Sequence, residues 1–396
     1  MRIALAVGFS LIALTAMAAP RANGDVNANG DVNLESQATA AETQRENYRV
    51  RMNENVVTIM AGSPNGTDLG IAYDIAKVVD DGDNLRVLPI VGQGAAQSVK
   101  DVMFLKGVDM GITQANIIKY FARTGELGSN FVDRIVYVAK LFTEEVHIIV
   151  RSDVTDIKQL NGKIVNFGEQ GSGTDITARL VLDALGVKVQ ELHLADPDAF
   201  EKLKSGDITA VIVMGGKPAP ALAHLKSADG LTVLRIPYTK ELEDAYYPAV
   251  LSHDDYPDLI GAGEGVDTVS VCTVLVAFNW SADSIRYKRV AKFVDRFFSN
   301  FDEFQKSPRQ PKWREVNFAA TLEGWHRSPA AQAWIDHAKE VSTKGMTADG
   351  MESASRDHFE AFLAQAARTS GAPISDAERA DLFRAFLEWN KGHNKN

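Results

Sequence analysis

A strand-to-helix turn decides the fold of this chain, and it reads Asn166-Phe167-Gly168-Glu169-Gln170-Gly171-Ser172-Gly173-Thr174-Asp175. Residues 163–167 have the pattern of a short buried strand, and the apolar residues after the turn recur at the spacing of an amphipathic helix. The glycines allow the chain to turn sharply, and Ser172 or Thr174 can cap the helix. Because unpaired N–H groups at a helix start attract anions, the turn predicts an anion-binding site.

Several known phosphate and catalytic motifs do not fit this turn. A dinucleotide-binding fingerprint needs a third glycine where Ile176 stands, and a phosphate loop needs a Gly-Lys-Ser/Thr sequence that is absent. Residues 171–173 also lack the spacing of a nucleophile elbow. A capped turn that binds nothing is the remaining alternative, because such turns are common in α/β folds.

The length and composition are those of a globular protein with room for two domains. The chain has 396 residues, of which 45% are hydrophobic and 24% charged. Its formal net charge is -10, and no basic run marks a surface for nucleic acid. We therefore expect no nucleic-acid partner.

The N-terminus has the three parts of a secretory signal peptide. Met1-Arg2 precedes an apolar run over residues 3–14, which is followed by Ala16-Met17-Ala18. The apolar run is too short to span a membrane. We expect cleavage after Ala18, a signal peptide over residues 1–18 and a periplasmic location. The single cysteine, Cys272, lies in an apolar run and is expected to be a buried, inert thiol.

The next segment, residues 19–47, is polar and carries a short repeat of Asn-Gly-Asp-Val-Asn. The repeat matches the first half of a calcium loop, but Ser36 stands where an EF-hand needs its distal glutamate. We predict that this segment is a disordered tether.

Three loops in the first half of the chain follow buried strands and precede helices. They lie at residues 61–67, at Gly92-Gln93-Gly94, and at Asn116 after the strand at 109–114. Open α/β sheets place their ligands at such carboxyl ends of strands. The alternation of strand and helix then repeats over residues 156–236, which predicts a second α/β domain.

Two crossings between the domains are expected. Residues 135–142 and 146–150 read as two apolar strands separated by Thr143-Glu144-Glu145, and a strand with its helix over residues 268–301 is expected to return to the first domain. Two lobes with two crossings make a hinge and a cleft. The predicted divisions are lobe 1 at 48–145 and 246–301, lobe 2 at 146–245, and a C-terminal helical extension at 302–396.

The order of these motifs resembles the TAXI-type solute-binding proteins of TRAP transporters. That family has the two-lobed type II periplasmic binding protein fold, an α/β architecture. The resemblance covers about residues 56–300. The motifs that carry it lie at residues 61–67, 108–116, 145–150, 171–174 and 215–220.

The resemblance implies a receptor without enzymatic activity. A small organic anion, typically glutamate, glutamine or a related dicarboxylate, is held between the lobes and handed to the TRAP transporter membrane subunits. We expect a monomer with no cofactor and no metal. The implied ligand-binding residues are Ser63, Asn65, Gly66, Thr67, Gln114, His147, Ser172, Gly173, Thr174, Gly216 and Lys217.

The chain departs from the family pattern at several positions. Asp68-Leu69 replaces a usual pair of aromatic residues, Asn116 stands where aspartate is frequent, and Lys217 where a small residue is usual. These changes could exchange an aromatic wall for a cationic contact. The ligand's identity is accordingly less transferable than the architecture.

Individual residues have alternative interpretations. His147 is either a hydrogen-bonded core histidine or a ligand donor, and Lys217 is either a solvated lysine or a carboxylate contact. Glu169 and Asp175 would repel an anion, so both are expected to face solvent. The histidines show no metal-ligand spacing.

Two other functions are compatible with parts of the pattern. A hydrolase could use Ser172 with His147 as its base, but no orienting acid or oxyanion hole is legible. A sensor receptor would bind the same ligand and signal to a membrane kinase instead of feeding a transporter.

Overall fold

The computed structural model describes the backbone of residues 28–345 and the side chains of residues 39–340. The predicted signal peptide and residues 346–396 of the predicted C-terminal extension lie outside the described residues. Within the described part of the chain, no helix combines the length and the apolar character needed to cross a membrane.

A long polar helix, α1, covers Ala28–Glu54. It corrects the prediction of a disordered tether for residues 28–47. Alanine, glutamate, glutamine and arginine favour helix even without a buried face, and Arg49 pairs with Glu46 at 2.6 Å one turn away. The chain divides into two compact units, Met1–Asn53 and Glu54–Asn396, and the sheet belongs to the second.

The first lobe is built from parallel strands that alternate with helices. Strands β1, β2 and β3 pair in parallel, with β1 in the centre. Apolar side chains at alternate positions of β1 and on one face of the following helix form its core. The elements are β1 (Val56–Met60), α2 (Thr67–Val79), β2 (Arg86–Ile90), α3 (Ala95–Phe104), β3 (Met110–Gln114), α4 (Ala115–Thr124) and α5 (Phe131–Arg134).

One continuous strand, β4 (Ile135–Arg151), leads into the second lobe. The prediction of two strands separated by residues 143–145 was wrong, because Glu144 and Glu145 are buried and keep their places in the ladder. The second lobe then contains β5 (Ile164–Asn166), α6 (Gly173–Ala184), β6 (Gln190–Leu192), α7 (Asp196–Ser205), β7 (Ala210–Gly215), β8 (Leu231–Val233) and β9 (Tyr247–Ser252).

The chain returns through a second long strand, β10 (Gly265–Phe278). Helix α8 (Ile285–Ser299) then packs Phe293 and Phe297 into the core that contains β1. Of the C-terminal helical extension, the structure describes α9 (Phe301–Phe304), a short 3-10 turn at Pro311–Glu315 and α10 (Pro329–Gly345).

All ten strands form one sheet in the order β2-β1-β3-β10-β4-β7-β5-β6, with β8 beside β4 and β9 beside β10. Strand β10 pairs with β9 through its first half and with β3 through its second half. Strand β4 likewise pairs with β10 near its start and with β7 near its end. These two strands are the crossings, and the predicted two-lobed α/β fold with a hinge and a cleft is confirmed.

Candidate functional site

A cavity of about 300 Å³ lies between the two lobes. Residues 63–67 and Gln93 line it from the first lobe. The second lobe contributes the turn before α6, the start of α7, and the segment after β7. Its lining residues there are Gly168, Glu169, Ser172, Thr174, Ala195, Asp196, Pro197, Val213, Met214, Gly215, Ala219, Pro220 and Ala221.

The start of α2 forms one side of the cavity. Gly66 is the N-cap residue, and no side chain caps the helix. Gly66 N–H donates to Ser63 O at 2.9 Å, which closes the turn that precedes the helix. Thr67 Oγ1 accepts a hydrogen bond from Gly216 N at 3.1 Å, a contact from lobe to lobe. This helix start thus presents N–H groups without a side-chain acceptor.

The start of α6 faces the same cavity from the other lobe. Ser172 caps it, since its Oγ accepts from Asp175 N at 3.1 Å. Thr174 Oγ1 accepts from Met214 N at 3.4 Å and thereby joins α6 to the end of β7. Thr67 and Thr174, from opposite lobes, both line the cavity. Two helix starts with partial positive charge therefore face one space.

Gly173 allows the two lobes to approach each other closely. A Cβ atom on this residue would lie 2.6 Å from Gln114 Oε1 and 2.9 Å from Ala95 Cβ. Both neighbours belong to the first lobe. Only glycine allows this approach, so Gly173 acts in the contact between lobes and lies outside the lining.

Six residues of the predicted site line the cavity, and five do not. The six are Ser63, Asn65, Gly66, Thr67, Ser172 and Thr174, which all lie in the two glycine-containing loops. Five residues lie behind the lining and bond to protein groups or pack against them. These five are Gln114, His147, Gly173, Gly216 and Lys217.

Gln114, Lys217 and Gly216 each contact another part of the protein. Gln114 Nε2 donates to Glu144 Oε2 at 2.5 Å. Lys217 Nζ donates to Val250 O at 2.6 Å and lies 3.1 Å from Asp255 Oδ2. A Cβ on Gly216 would lie 2.9 Å from Lys312 Cε, so this glycine permits a tight packing contact.

His147 is completely buried under the cavity wall. Its Nε2 lies 2.7 Å from the hydroxyl of Tyr256, and its Nδ1 lies 3.4 Å from Val213 O. Burial lowers the pKa of His147 to about 4, so the ring is neutral at physiological pH. Both ring nitrogens are engaged by protein groups.

The expectation that the acidic residues near the turn face solvent holds for Glu169 but is wrong for Asp175. Glu169 is exposed but also lines the cavity. Asp175 is buried, because it accepts from Gly171 N at 2.9 Å and from Arg179 at 2.7 Å. Asp196, at the start of α7, is a further carboxyl group in the lining. Burial, assisted by the negative charge of Glu169, raises the pKa of Asp196 to about 6.

A buried polar cluster lies at the crossing, and the sequence analysis did not assign it to the site. Burial raises the pKa of Asp68 well above its usual value, and the neighbouring Glu144 adds to this effect. The pKa of Glu144 is raised to about 7 by burial, against the lowering effect of the Gln114 hydrogen bond. Lys312 Nζ bonds Glu145 at 3.1 Å. The sequence feature that could have indicated this cluster is the pair Glu144 and Glu145 inside an otherwise apolar strand.

One side-chain cluster, within the part of the chain that the structure describes, has ligand types suited to a metal. It comprises Asp175, Glu191 and His193. The Arg179 guanidinium bonds both Asp175 and Glu191, at 2.7 and 2.6 Å. The cluster is thus an ion-pair network with its own cation.

A larger groove of about 590 Å³ lies between α4 and residues 241–246. Lys119 and Asp244 form an ion pair 2.8 Å long there, and Asn116 Nδ2 donates to the hydroxyl of Tyr246 at 3.1 Å. The smaller cavity is the better candidate, because the starts of α2 and α6 face it from opposite lobes, whereas the Lys119–Asp244 ion pair joins the two sides of the larger groove.

Residues 59–325 match the NMT1-like family. Among solved structures, a periplasmic transporter is similar with a TM-score of 0.45 and 11% identity, covering 72% of this chain and 93% of that chain. A protein of Bordetella bronchiseptica RB50 gives a TM-score of 0.44, 15% identity, and coverage of 73% and 83%. The periplasmic binding protein BugD gives a TM-score of 0.42, 13% identity, and coverage of 73% and 97%.

Proposed function

Because this chain belongs to the NMT1-like family, we propose that it is an extracytoplasmic solute receptor that binds a small organic anion between its lobes. The observation that carries the proposal is the cavity of about 300 Å³ into which helices α2 and α6 begin from opposite lobes. This volume lies at the lower end of the range of about 300–1,000 Å³ that is usual for small-molecule sites.

The proposed ligand is a glutamate- or glutamine-like molecule or a dicarboxylate. Unpaired N–H groups at the start of α2 would receive one carboxylate, and each charge-assisted hydrogen bond contributes roughly 1.5–3 kcal/mol. Polar side chains of Ser63, Asn65 and Thr174 surround the remaining space. Asp196 can donate a hydrogen bond only when it is protonated, which its raised pKa of about 6 allows at mildly acidic pH.

The receptor would deliver its ligand in the periplasm to TRAP-type membrane subunits. This part of the proposal rests on the TAXI-type motif order at residues 61–67, 108–116 and 171–174. A pull-down of membrane proteins with the ligand-loaded receptor tests it, and recovery of a membrane kinase instead of transporter subunits would favour the sensor hypothesis.

The geometry does not support the hydrolase alternative. Ser172 Oγ accepts from Asp175 N as a helix cap, whereas both nitrogens of His147 are engaged by Tyr256 and Val213. A serine nucleophile needs its base within hydrogen-bond reach. Binding without chemistry is the activity that these contacts favour.

The ligand test is calorimetric titration of the purified mature protein with a panel of amino acids and dicarboxylates. We expect micromolar binding of at least one of them, weakened by Thr174→Val and unchanged by Thr232→Val, which alters a half-buried threonine on β8 outside the cavity lining. If no small anion binds to the wild-type protein, the proposed function is wrong.

A further inference from the structure

One wall of the cleft is a short segment of the second lobe. It runs from Val213, at the end of β7, through Gly215 to Ala221, and its small residues line the cavity. A ligand touching this wall contacts mostly backbone and methyl groups. Thr67 and Thr174 hold the backbone of this wall from the cleft side, at Gly216 and Met214, and further contacts hold it from behind.

Tyr256 stands behind this wall and is almost completely buried. It lies in the connection between β9 and β10, and it does not line the cavity. Its hydroxyl accepts a hydrogen bond from Ala219 N at 2.8 Å. The same hydroxyl lies 2.7 Å from His147 Nε2, and the two rings meet edge to face at 84°.

The carbonyl oxygen of Val213 can only accept a hydrogen bond, so this neighbour favours the His147 tautomer that has its proton on Nδ1 and a bare Nε2. A tyrosine hydroxyl has one proton, and because it accepts from Ala219 N–H it can give that proton to His147 Nε2. The neutral imidazole then carries its own proton on Nδ1. That N–H donates to Val213 O, at 3.4 Å. This series of hydrogen bonds begins and ends at backbone groups, Ala219 N–H and Val213 O, of residues that line the cleft.

The surroundings of the pair keep it uncharged. Burial lowers the pKa of His147, the Lys312 ammonium lowers it further, and the Asp255 carboxylate raises it. Burial raises the pKa of Tyr256, and the Glu145 and Asp255 carboxylates act in the same direction. The hydroxyl thus keeps its proton, and the imidazole ring stays neutral.

The geometry points to Tyr256 and His147 as a positioning pair that anchors the Val213–Ala221 wall at Val213 and at Ala219 and so tunes the affinity of the cleft. This inference rests on the proposed binding function of the cleft. His147 acts here through protein contacts alone and replaces the ligand contact predicted from the sequence. Tyr256 acts through Ala219 and through His147.

The pair is tested first without any ligand, by nitrogen NMR of ¹⁵N-histidine-labelled protein. We expect the His147 ring, assigned by its loss in His147→Gln, to be the neutral Nδ1–H tautomer at pH 7. We also expect it to resist protonation until the pH approaches 4. An Nε2–H tautomer, or a ring that titrates with an ordinary pKa, would overturn the inference.

The second test is Tyr256→Phe, which removes one hydroxyl. The neutral form of His147 loses the donor that stabilises it, so the pKa of the ring should rise. Affinity for L-glutamate, the probe used, should fall by about tenfold, because Ala219 N–H is left without its acceptor. When affinity for L-glutamate is measured over a range of pH, the pH below which it falls should be higher in the variant than in the wild type.

Tyr137→Phe is the matched control. Tyr137 is equally buried, and its hydroxyl also accepts from a backbone N–H, that of Leu322 at 3.3 Å. This variant should lose stability without changing L-glutamate affinity or the His147 titration. Equal effects of the two variants on affinity and on the titration would contradict the positioning role.

The two proposals fail separately. If wild-type protein binds neither L-glutamate nor any other panel member, the proposed function fails, whereas the tautomer and the titration of His147 still decide whether the pair exists. If the wild type binds but Tyr256→Phe binds equally well at every pH, only the positioning pair is wrong.

Discussion

The helix starts of α2 and α6 face one cavity, but they are built differently. Helix α2 begins at Gly66 with no side-chain cap, whereas α6 begins at Ser172, whose hydroxyl satisfies Asp175 N. The start of α6 also packs against the other lobe through Gly173. The difference indicates that α2 keeps more N–H groups available for an anion, while α6 mainly fixes how closely the lobes approach.

The first-turn acids of these helices sharpen the same contrast. Asp175 of α6 pairs with the Arg179 guanidinium, so its charge is compensated within its own lobe. Asp68 of α2 is buried next to Glu144, and this burial raises the pKa of its carboxyl group. The raised pKa favours the protonated carboxyl group, which cancels less of the positive end of α2 than a carboxylate would. The helix that starts without a side-chain cap thus also carries a first-turn acid whose ionisation is opposed by burial.

The largest expected effect follows from crowding the α6 start. In Gly173→Ala the new methyl group would lie 2.6 Å from Gln114 Oε1, so the lobes could approach as closely only with strain. We expect ligand affinity to fall by about 5- to 150-fold, from an overpacking cost of about 1–3 kcal/mol. Calorimetric titration measures it.

Gly62→Ala is the control for this change. A Cβ there would lie 3.5 Å from the nearest atom, an ordinary contact, and Gly62 is not in the lining. Similar losses in both variants would show that the contact between the lobes at Gly173 is not what limits affinity.

A smaller effect, on the pH dependence of stability, is expected from Glu144, the buried neighbour of Asp68 in α2. The pKa of Glu144 is raised from 4.5 to about 7, so the folded state binds more protons than the unfolded state across this interval. Stability from this group is therefore fully present below pH 4.5 and is lost as the pH rises toward 7. Glu144→Gln should flatten this slope, as measured by chemical unfolding at several pH values.

Glu201→Gln, at an exposed position on α7, is the control variant for the dependence of stability on pH. It should leave the dependence of stability on pH unchanged. In Glu144→Gln the pKa of Asp68 should also fall, because the neighbouring charge that raises it is gone. An unchanged slope in Glu144→Gln would mean that the buried acids do not titrate in this interval.

The smallest effect is expected from the α6 cap itself. Ser172→Ala removes the acceptor for Asp175 N and should lower the free energy of unfolding by about 1 kcal/mol. Because α2 provides most of the free donors, the affinity should change by less than in Gly173→Ala. A Ser172→Ala variant that keeps its stability but loses binding would reverse the roles assigned to the two helix starts.

Much of the architecture could be predicted because its signals are local. The periodicity around residues 56–79 and 163–185 specifies strands followed by helices, and glycines specify the turns between them. The predicted site residues that line the cavity, such as Thr67 and Ser172, all lie in those turns. A turn at the carboxyl end of a strand is placed at the cleft by topology alone.

Residues on strands were predicted less well. His147 and Gln114 were expected at the ligand, yet they point to Tyr256 and Glu144. The direction in which a strand side chain points depends on pairing register, and β4 changes its neighbours from β10 to β7 along its length. A window of sequence does not contain that information.

The amino-acid sequence alone determined that this is a two-lobed α/β protein with glycine turns at the ends of its strands, because backbone geometry and hydrophobic periodicity act over a few residues. Only the tertiary structure decided what those turns face. It brought Gly173 against Gln114, buried Asp68 beside Glu144, and placed Tyr256 behind Ala219. These contacts join positions far apart in the chain, and the burial that gives them their energy exists only after the lobes have packed.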